Sequence, residues 1–307
     1  MGTYLIVGAG AIGTVVAEQL VRAGHDVRLM SRSGTGPASP SVSLVTGDAS
    51  NAATVNDQSR GVDAIFNCAN PHYHRWPSDW PPIANAILAA AESNRCDLVT
   101  LGNLYAYGEP TRPMSPHDPL DAPYEKAQVR ATMWRDAKRA HDQGRIRATE
   151  VRASDYIGPG SQSYASAVTP RVIAGKRCWL PGAMDVAHSW NYTSDVARTL
   201  IACAHDDRSW GRAWHAPANP SRTIHQLVDD IADAAGVARV RVSRIPTTAL
   251  RVVGVVSPVV RELPTTLYQF NVPFVIDDSE TREVLGVEPT AWTEVLTSTV
   301  ASFRAGR

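Results

Sequence analysis

The feature that most constrains this chain lies within its first two dozen residues. Tyr4-Leu5-Ile6-Val7 is a continuous apolar run, Gly8-Ala9-Gly10-Ala11-Ile12-Gly13 follows without a break, and a helical pattern opens inside the glycines. An uninterrupted apolar run of this length fits a strand buried on both faces of a parallel sheet. Ile12, Val15, Val16, Leu20 and Ala23 recur at helical spacing, Glu18 and Arg22 fall off that face, and Gly24 stands where a helix ends. A chain that must pass from buried strand to helix through three spaced glycines is committed to a tight strand–turn–helix unit.

In that setting GxGxxG acquires a physical meaning. Gly8 makes the turn, Gly10 lets a ligand approach the backbone, and Gly13 lets helix pack on strand. The backbone around Gly10, Ala11 and Ile12 then presents N–H groups at a positive helix end, which suits the pyrophosphate of a dinucleotide. The next strand, residues 26–30, ends in Met30-Ser31-Arg32. An NAD-binding chain places a carboxylate there for the ribose 2′-OH. Ser31 and Arg32 instead suit a 2′-phosphate, so NADP(H) is the expected cofactor and NAD(H) the less favoured one. Asp48, after the third strand, has two readings: an acceptor for the adenine amino group, or a cap for the next helix. Cys68, Ala69 and Asn70 close the fourth strand with small residues beside the cofactor path.

The alternation continues through strands at 42–46, 62–68, 97–101 and 147–152, with helices at 83–93 and 124–144. A loop rich in Pro and Trp is expected at 70–82. Strands alternating with helices give right-handed crossovers and an α/β fold, a doubly wound parallel sheet of Rossmann type. After Gly158-Pro159-Gly160 the strands shorten and prolines multiply, with helices at 164–174, 194–204 and 223–235. A dinucleotide-binding domain over 1–160 and a smaller, mostly helical substrate lobe over 161–307 follow, the two free to interleave.

Charge excludes other roles. Lys+Arg and Asp+Glu balance at 30 each, which leaves no basic footprint for nucleic acid and no polybasic patch for a membrane surface. The longest apolar stretch, 252–260, is broken by Gly254 and Pro258 and is too short to span a bilayer. No cationic segment and apolar run precede the first strand, so a cytoplasmic protein is expected. The four cysteines are scattered and no metal-ligand spacing occurs.

Taken in order, Gly8 to Gly13, Gly47-Asp48, Tyr105-Ala106-Tyr107-Gly108, Val151-Arg152 with Gly158-Pro159-Gly160, Ser194-Asp195-Val196-Ala197 and Leu285-Gly286-Val287-Glu288-Pro289 resemble the NAD-dependent epimerase/dehydratase family, the extended and atypical branch of the short-chain dehydrogenase/reductases. The resemblance implies a Tyr that moves a proton at the substrate oxygen. It also implies a Lys one turn later that holds the nicotinamide ribose, and a Ser or Thr that orients the substrate. Here the pattern is degenerate. If Tyr124 is the family Tyr, Gln128 stands at the Lys position; if Lys126 is the family Lys, Ala122 stands at the Tyr position. Asn103 occupies the Ser/Thr position.

Keeping Lys126 as the ribose-holding cation leaves the proton donor vacant, with Tyr107, Tyr124 and His72-Tyr73-His74 as the candidates. Asp195 is expected to cap its helix. His188 to Tyr192 and Trp214-His215 are candidate pocket residues, and Arg171, Lys176, Arg177, Arg222 and Arg261 candidate diphosphate ligands. The resulting expectation is an NADP(H)-dependent oxidoreductase acting on a small carbonyl or alcohol. A nucleotide-sugar epimerase or dehydratase with retained cofactor is the second reading, and a catalytically inert NADP(H)-sensing protein the third. A homodimer is an expectation from the resemblance.

Overall fold

The computed structural model describes residues 1–246 and 266–305, so the apolar stretch at 252–260 and Arg261 lie outside the described residues. Seven parallel strands form the central sheet: β1 (Thr3–Val7), β2 (Asp26–Ser31), β3 (Val42–Thr46), β4 (Ala64–Asn67), β5 (Asp97–Asn103), β6 (Ala148–Ala153) and β10 (Ala213–His215). Their spatial order is β10-β6-β5-β4-β1-β2-β3. The reversal between β1 and β4 opens the crevice in which doubly wound sheets bind dinucleotides, at the carboxyl ends of the strands. The expected α/β fold with a doubly wound sheet is the fold observed.

Helices cover both faces. Helix α1 (Ala11–Arg22) and helix α6 (Thr193–His205) bury Val16, Leu20, Val196 and Leu200 against one face, together with Phe66 and Trp214. Helices α2 (Ala52–Gln58), α3 (Trp76–Asn94) and α4 (Glu125–Asp142) cover the other through Val55, Ile87 and Ala137. The smaller lobe packs α5 (Tyr164–Ile173), α7 (Ile224–Ala235) and α9 (Trp292–Ala305) around Val168, Leu227, Ile231 and Val295. Helix α8 (Ser279–Leu285) precedes α9 and ends at Gly286. Two parallel strand pairs complete the lobe: β7 (Asp155–Ile157) with β9 (Trp190–Tyr192), and β8 (Cys178–Leu180) with β11 (Val242–Arg244). Among the described residues no helix is long and apolar enough to cross a membrane.

Three expectations need correction. Helix α3 starts at Trp76, not at residue 83, and runs through Pro77, Pro81 and Pro82. Prolines forfeit helical hydrogen bonds, but Trp76 and Trp80 lie one turn apart and both are buried, which draws the segment onto the core. Asp195 does not cap α6, whose N-cap is Tyr192. Its buried carboxylate accepts from the Thr290 N–H at 2.8 Å and from Thr290 Oγ1 at 2.5 Å, tying the C-terminal segment to the sheet layer. Asp48 caps nothing either: Asn51 is the N-cap of α2 and accepts from Thr54.

Candidate active site and cofactor cleft

The glycine turn delivers the geometry that its spacing required. Gly8 holds φ at +109°, and a Cβ there would come within 2.5 Å of the Cys68 carbonyl oxygen. A Cβ on Gly13 would lie 1.9 Å from the Gly8 carbonyl oxygen. At Gly10 the opposite holds: a Cβ would meet nothing within 4 Å and would point into open space at the N-terminus of α1. Two glycines are therefore needed by the fold, and the third keeps a cradle clear.

Two adjoining cavities flank that turn and share Gly10, Cys68, Ala69 and Asn70 in their walls. The outer one, ≈ 690 Å³, is lined by Gly8, Ser31, Arg32, Asp48 and Ser50. Asp48 accepts from the Ser50 N–H and hydroxyl at 2.9 and 2.8 Å. Those hydrogen bonds, with the nearby Arg32 charge, hold its carboxyl below the ordinary carboxylate value. Arg32 is exposed at the mouth of this cavity. Cys68 is buried between the cavities, and burial pushes its thiol up to about 12, so it is an inert wall.

The inner cavity, ≈ 460 Å³, lies over the carboxyl ends of β4, β5 and β6. Ala11, Ile12, Asn103, Tyr105, Arg130, Ser154, Asp155, Gln162 and Gln269 contribute to it. Arg130 is buried, with its guanidinium 4.8 Å from the Trp80 ring and a hydrogen bond to the Leu101 carbonyl. Tyr105 hydrogen-bonds through its side chain to Tyr73 and Gln269, and burial raises its phenol well above the ordinary value.

The candidate catalytic residues divide. Asn103 lines the inner cavity, while its carboxamide oxygen accepts from the Tyr105 N–H at 3.2 Å. Lys126 and Tyr124 line a separate small recess of ≈ 100 Å³ with Tyr105, Thr266 and Tyr268. The Lys126 ammonium sits 4.4 Å from the centre of the Tyr73 ring, and Tyr73 lines the inner cavity whereas Lys126 does not. Tyr124 precedes α4 as its N-cap and stacks on Tyr268 at 5.6 Å. Gln128 turns away and donates to the Ala122 carbonyl.

Tyr107 does not reach the cavity. Its hydroxyl accepts from Arg152 at 2.6 Å and faces His215 Nε2 at 2.9 Å, within a buried group that includes Glu150. His72 and His74 are exposed and stack on each other at 6.0 Å. Trp214 is core, its indole donating to the Ser209 carbonyl. Arg171 and Arg177 are exposed beside α5, Lys176 lies with them, and Arg222 pairs with Asp230 at 3.1 Å; none lines either cavity. Among the described residues, no group of three or more His, Cys, Asp or Glu is placed to hold a metal ion.

The cavity residues that escaped the sequence reading include Arg130, Gln162 and Asp155. Asp155 follows β6 by two residues, a place where ligands meet doubly wound sheets. Its strand end was the one available signal.

This arrangement agrees with a family-level comparison: the model of the NAD dependent epimerase/dehydratase family matches residues 4–214, more than half of the chain. The chain belongs to that family. Members of the epimerase/dehydratase family are nicotinamide-dependent enzymes, and the glycine cradle with its two adjoining cavities fits such a cofactor. A search of curated protein sequences finds no match.

Solved structures share the family's fold over the full length. UDP-glucose 4-epimerase of Thermotoga maritima, in complex with UDP-glucose, superposes with a TM-score of 0.81 at 15% identity, covering 99% of both chains. UDP-glucuronic acid 4-epimerase of Bacillus cereus, with UDP-glucuronic acid and NAD, gives 0.81 at 14% identity over 99% of this chain and 100% of that one. The dTDP-glucose 4,6-dehydratase of Streptomyces venezuelae, with NAD bound, gives 0.78 at 19% over 99% and 98%.

Proposed function

We propose that the chain is an NADP(H)-dependent oxidoreductase that interconverts an alcohol and a carbonyl within the inner cavity. The observation that carries this reading is that both cavities are walled by the same glycine turn, through Gly10, Cys68, Ala69 and Asn70. Adenosine-side residues and polar cavity residues thereby lie on either side of one cradle. Ser31 and Arg32 would hold the 2′-phosphate, and the backbone at Gly10, Ala11 and Ile12 the pyrophosphate. When bound, the nicotinamide supplies hydride acceptance and donation. The chain's own residues orient the substrate through Asn103 and Gln162, while Trp76 and Trp80 close the back of the cavity to water.

In this reading Lys126 acts at a distance, as a cation behind Tyr73 that fixes the floor of the site. Tyr124 could donate a proton only by leaving its stack on Tyr268. Tyr107, committed to Arg152 and His215, serves as a structural support.

A second reading, nucleotide-sugar epimerisation or dehydration with the cofactor retained, is favoured by the complexes of the similar structures with UDP-glucose and UDP-glucuronic acid. One assay separates the two. Purified protein is given NADPH with simple cyclic ketones, or NAD(P)⁺ with UDP-glucose, and the reduced nicotinamide is followed by absorbance alongside product analysis. Stoichiometric consumption of NADPH supports the oxidoreductase. Sugar conversion with no net change in the cofactor supports the second reading.

A further inference from the structure

With Tyr107 committed to Arg152 and His215 and Tyr124 stacked on Tyr268, no family tyrosine faces the inner cavity as its proton donor. Strand β7 enters the cavity with Asp155, and strand β9 beside it follows His188. His188 Nε2 lies 2.9 Å from Asp155 Oδ2, and His188 Nδ1 lies 3.1 Å from the Gln269 carbonyl oxygen. A carbonyl only accepts, so Nδ1 carries a hydrogen. Nε2 and Oδ2 can then be hydrogen-bonded only through one more proton between them. The pair has two states: loaded, with that proton present, and unloaded, with a neutral imidazole facing a carboxylate.

The surroundings suit both. The Ser154 hydroxyl is 3.3 Å from the same Nε2 and can donate to it when the shared proton has left. The imidazole is buried and packed between Phe270 and Phe274, with ring centres 4.6 and 5.4 Å away, so it cannot rotate out of register. Asn191 Oδ1 accepts from the Ser154 N–H at 2.7 Å and locks β7 to β9. The Asp155 side chain alone keeps an opening, 22% exposed, towards the cavity lined by Asn103 and Gln162. A buried ring is thus hydrogen-bonded to a carboxyl group that lines the inner cavity.

We propose that Asp155, sharing a proton with His188, takes and returns the hydroxyl proton of the substrate. This rests on the oxidoreductase reading or its epimerase/dehydratase variant, both of which need such a group. In oxidation the substrate's C–H bond breaks and its hydride, with both electrons, goes to the oxidised nicotinamide cofactor. The O–H bond breaks and its proton goes to the Asp155 carboxylate of the unloaded pair, leaving a carbonyl. Reduction starts from the loaded pair and runs the same bonds backwards. Asp155 is the catalytic residue in this scheme, and His188 positions it and stores the proton.

Few charged groups face the pair. Tyr105, Tyr156 and Tyr164 couple electrostatically to Asp155, and Arg130 shares the cavity. On the His188 side Phe270, Phe274 and Trp190 are uncharged, and Arg222, bridged to it through the backbone, is paired with Asp230.

The test uses the cofactor-loaded protein and its Asp155→Asn, His188→Gln and Tyr105→Phe variants. It has three readouts: nicotinamide affinity by fluorescence, turnover of UDP-glucose, dTDP-glucose and cyclic alcohols, and ¹⁵N NMR of labelled histidines. Asp155→Asn should keep cofactor affinity within about twofold while kcat falls roughly 10²- to 10⁴-fold, the usual worth of a general acid–base group. The His188 Nε2–H signature should vanish from its NMR spectrum. In the wild type, kcat/KM should rise with pH for oxidation and fall with pH for reduction through one shared ionisation, which His188→Gln displaces along the pH axis. Turnover retained in Asp155→Asn but lost in Tyr105→Phe overturns the pair and leaves the function reading intact. A wild-type protein that binds nicotinamide yet turns over none of the probes overturns both.

Discussion

The hydroxyl of Tyr107 lies 2.9 Å from Nε2 of His215, although 108 residues separate them, and the bond joins β10 to the loop after β5. His215 Nδ1 donates to the Asp277 carbonyl at 2.9 Å, so Nε2 is the bare nitrogen and accepts the Tyr107 proton. Arg152 donates to the same hydroxyl. Tyr107→Phe would leave two buried groups short of a partner and should cost about 1–3 kcal/mol of stability. Denaturant unfolding would register the loss, while kcat should change less than twofold. A large fall in kcat without loss of stability would return Tyr107 to the list of proton donors.

His215 also makes stability depend on pH. Burial is the main cause that pushes its imidazole from 6.5 down to about 3, with the Arg152 charge adding to it against the Asp277 hydrogen bond. The folded ring therefore binds fewer protons than the unfolded one below pH 6.5. Its contribution to stability is complete above 6.5 and is lost as pH falls towards 3, with a slope of up to roughly 1.4 kcal/mol per pH unit. Unfolding free energies measured at pH 7 and pH 5 should differ more in the wild type than in His215→Gln.

Gly10 and Gly13 are both glycines of one motif, but they should fail in different ways. Gly13→Ala forces a Cβ onto the Gly8 carbonyl, and the protein should lose the turn, seen as a lowered Tm and aggregation on expression. Gly10→Ala meets no protein atom and should fold with an unchanged Tm. Its methyl group occupies the cradle at the N-terminus of α1, so nicotinamide binding should weaken at least tenfold in a fluorescence titration. Equal loss of stability in both variants would remove the assignment of Gly10 to the ligand.

Under the proposed function, Arg32 would decide the choice of cofactor. Titration with NADPH and NADH should show a preference for NADPH in the wild type. Arg32→Ala should erase it by weakening NADPH roughly ten- to a hundredfold, the worth of a hydrogen bond to a charged group, with NADH little affected. Equal affinities in the wild type would assign Arg32 to the solvated rim and leave the family's NAD as the cofactor.

The sheet was readable because its signals are local. Strand β3 falls at 42–46 as its apolar pattern requires, and β1, the glycine turn and α1 occupy the places their spacing prescribes. Helix α3 starts earlier than its sequence suggests because Pro81 and Pro82 are local signals against a helix interior, and the burial of Trp76 and Trp80 that outweighs them is a tertiary effect. The site was less legible for the same reason. Asp155 and His188 are 33 positions apart and meet only because β7 pairs with β9, a pairing that three-residue strands do not announce. Lys126 could be placed on α4 from sequence, but the Tyr73 ring it packs against arrives from a segment 53 positions earlier.

Strand β10 reaches the sheet from residues 213–215 and pairs with β6, while α6 lies against α1. The nucleotide-binding half is thus finished by segments made long after residue 160. On a ribosome, a nascent chain that has emerged only to that point would carry an open β6 edge and an uncovered apolar stripe on α1, the two surfaces most prone to wrong association. Productive folding must wait for, or be shielded until, the arrival of Trp214 and Leu200. A tag, fusion or cut placed at the apparent lobe boundary would separate the sheet from its last strand and expose that edge permanently.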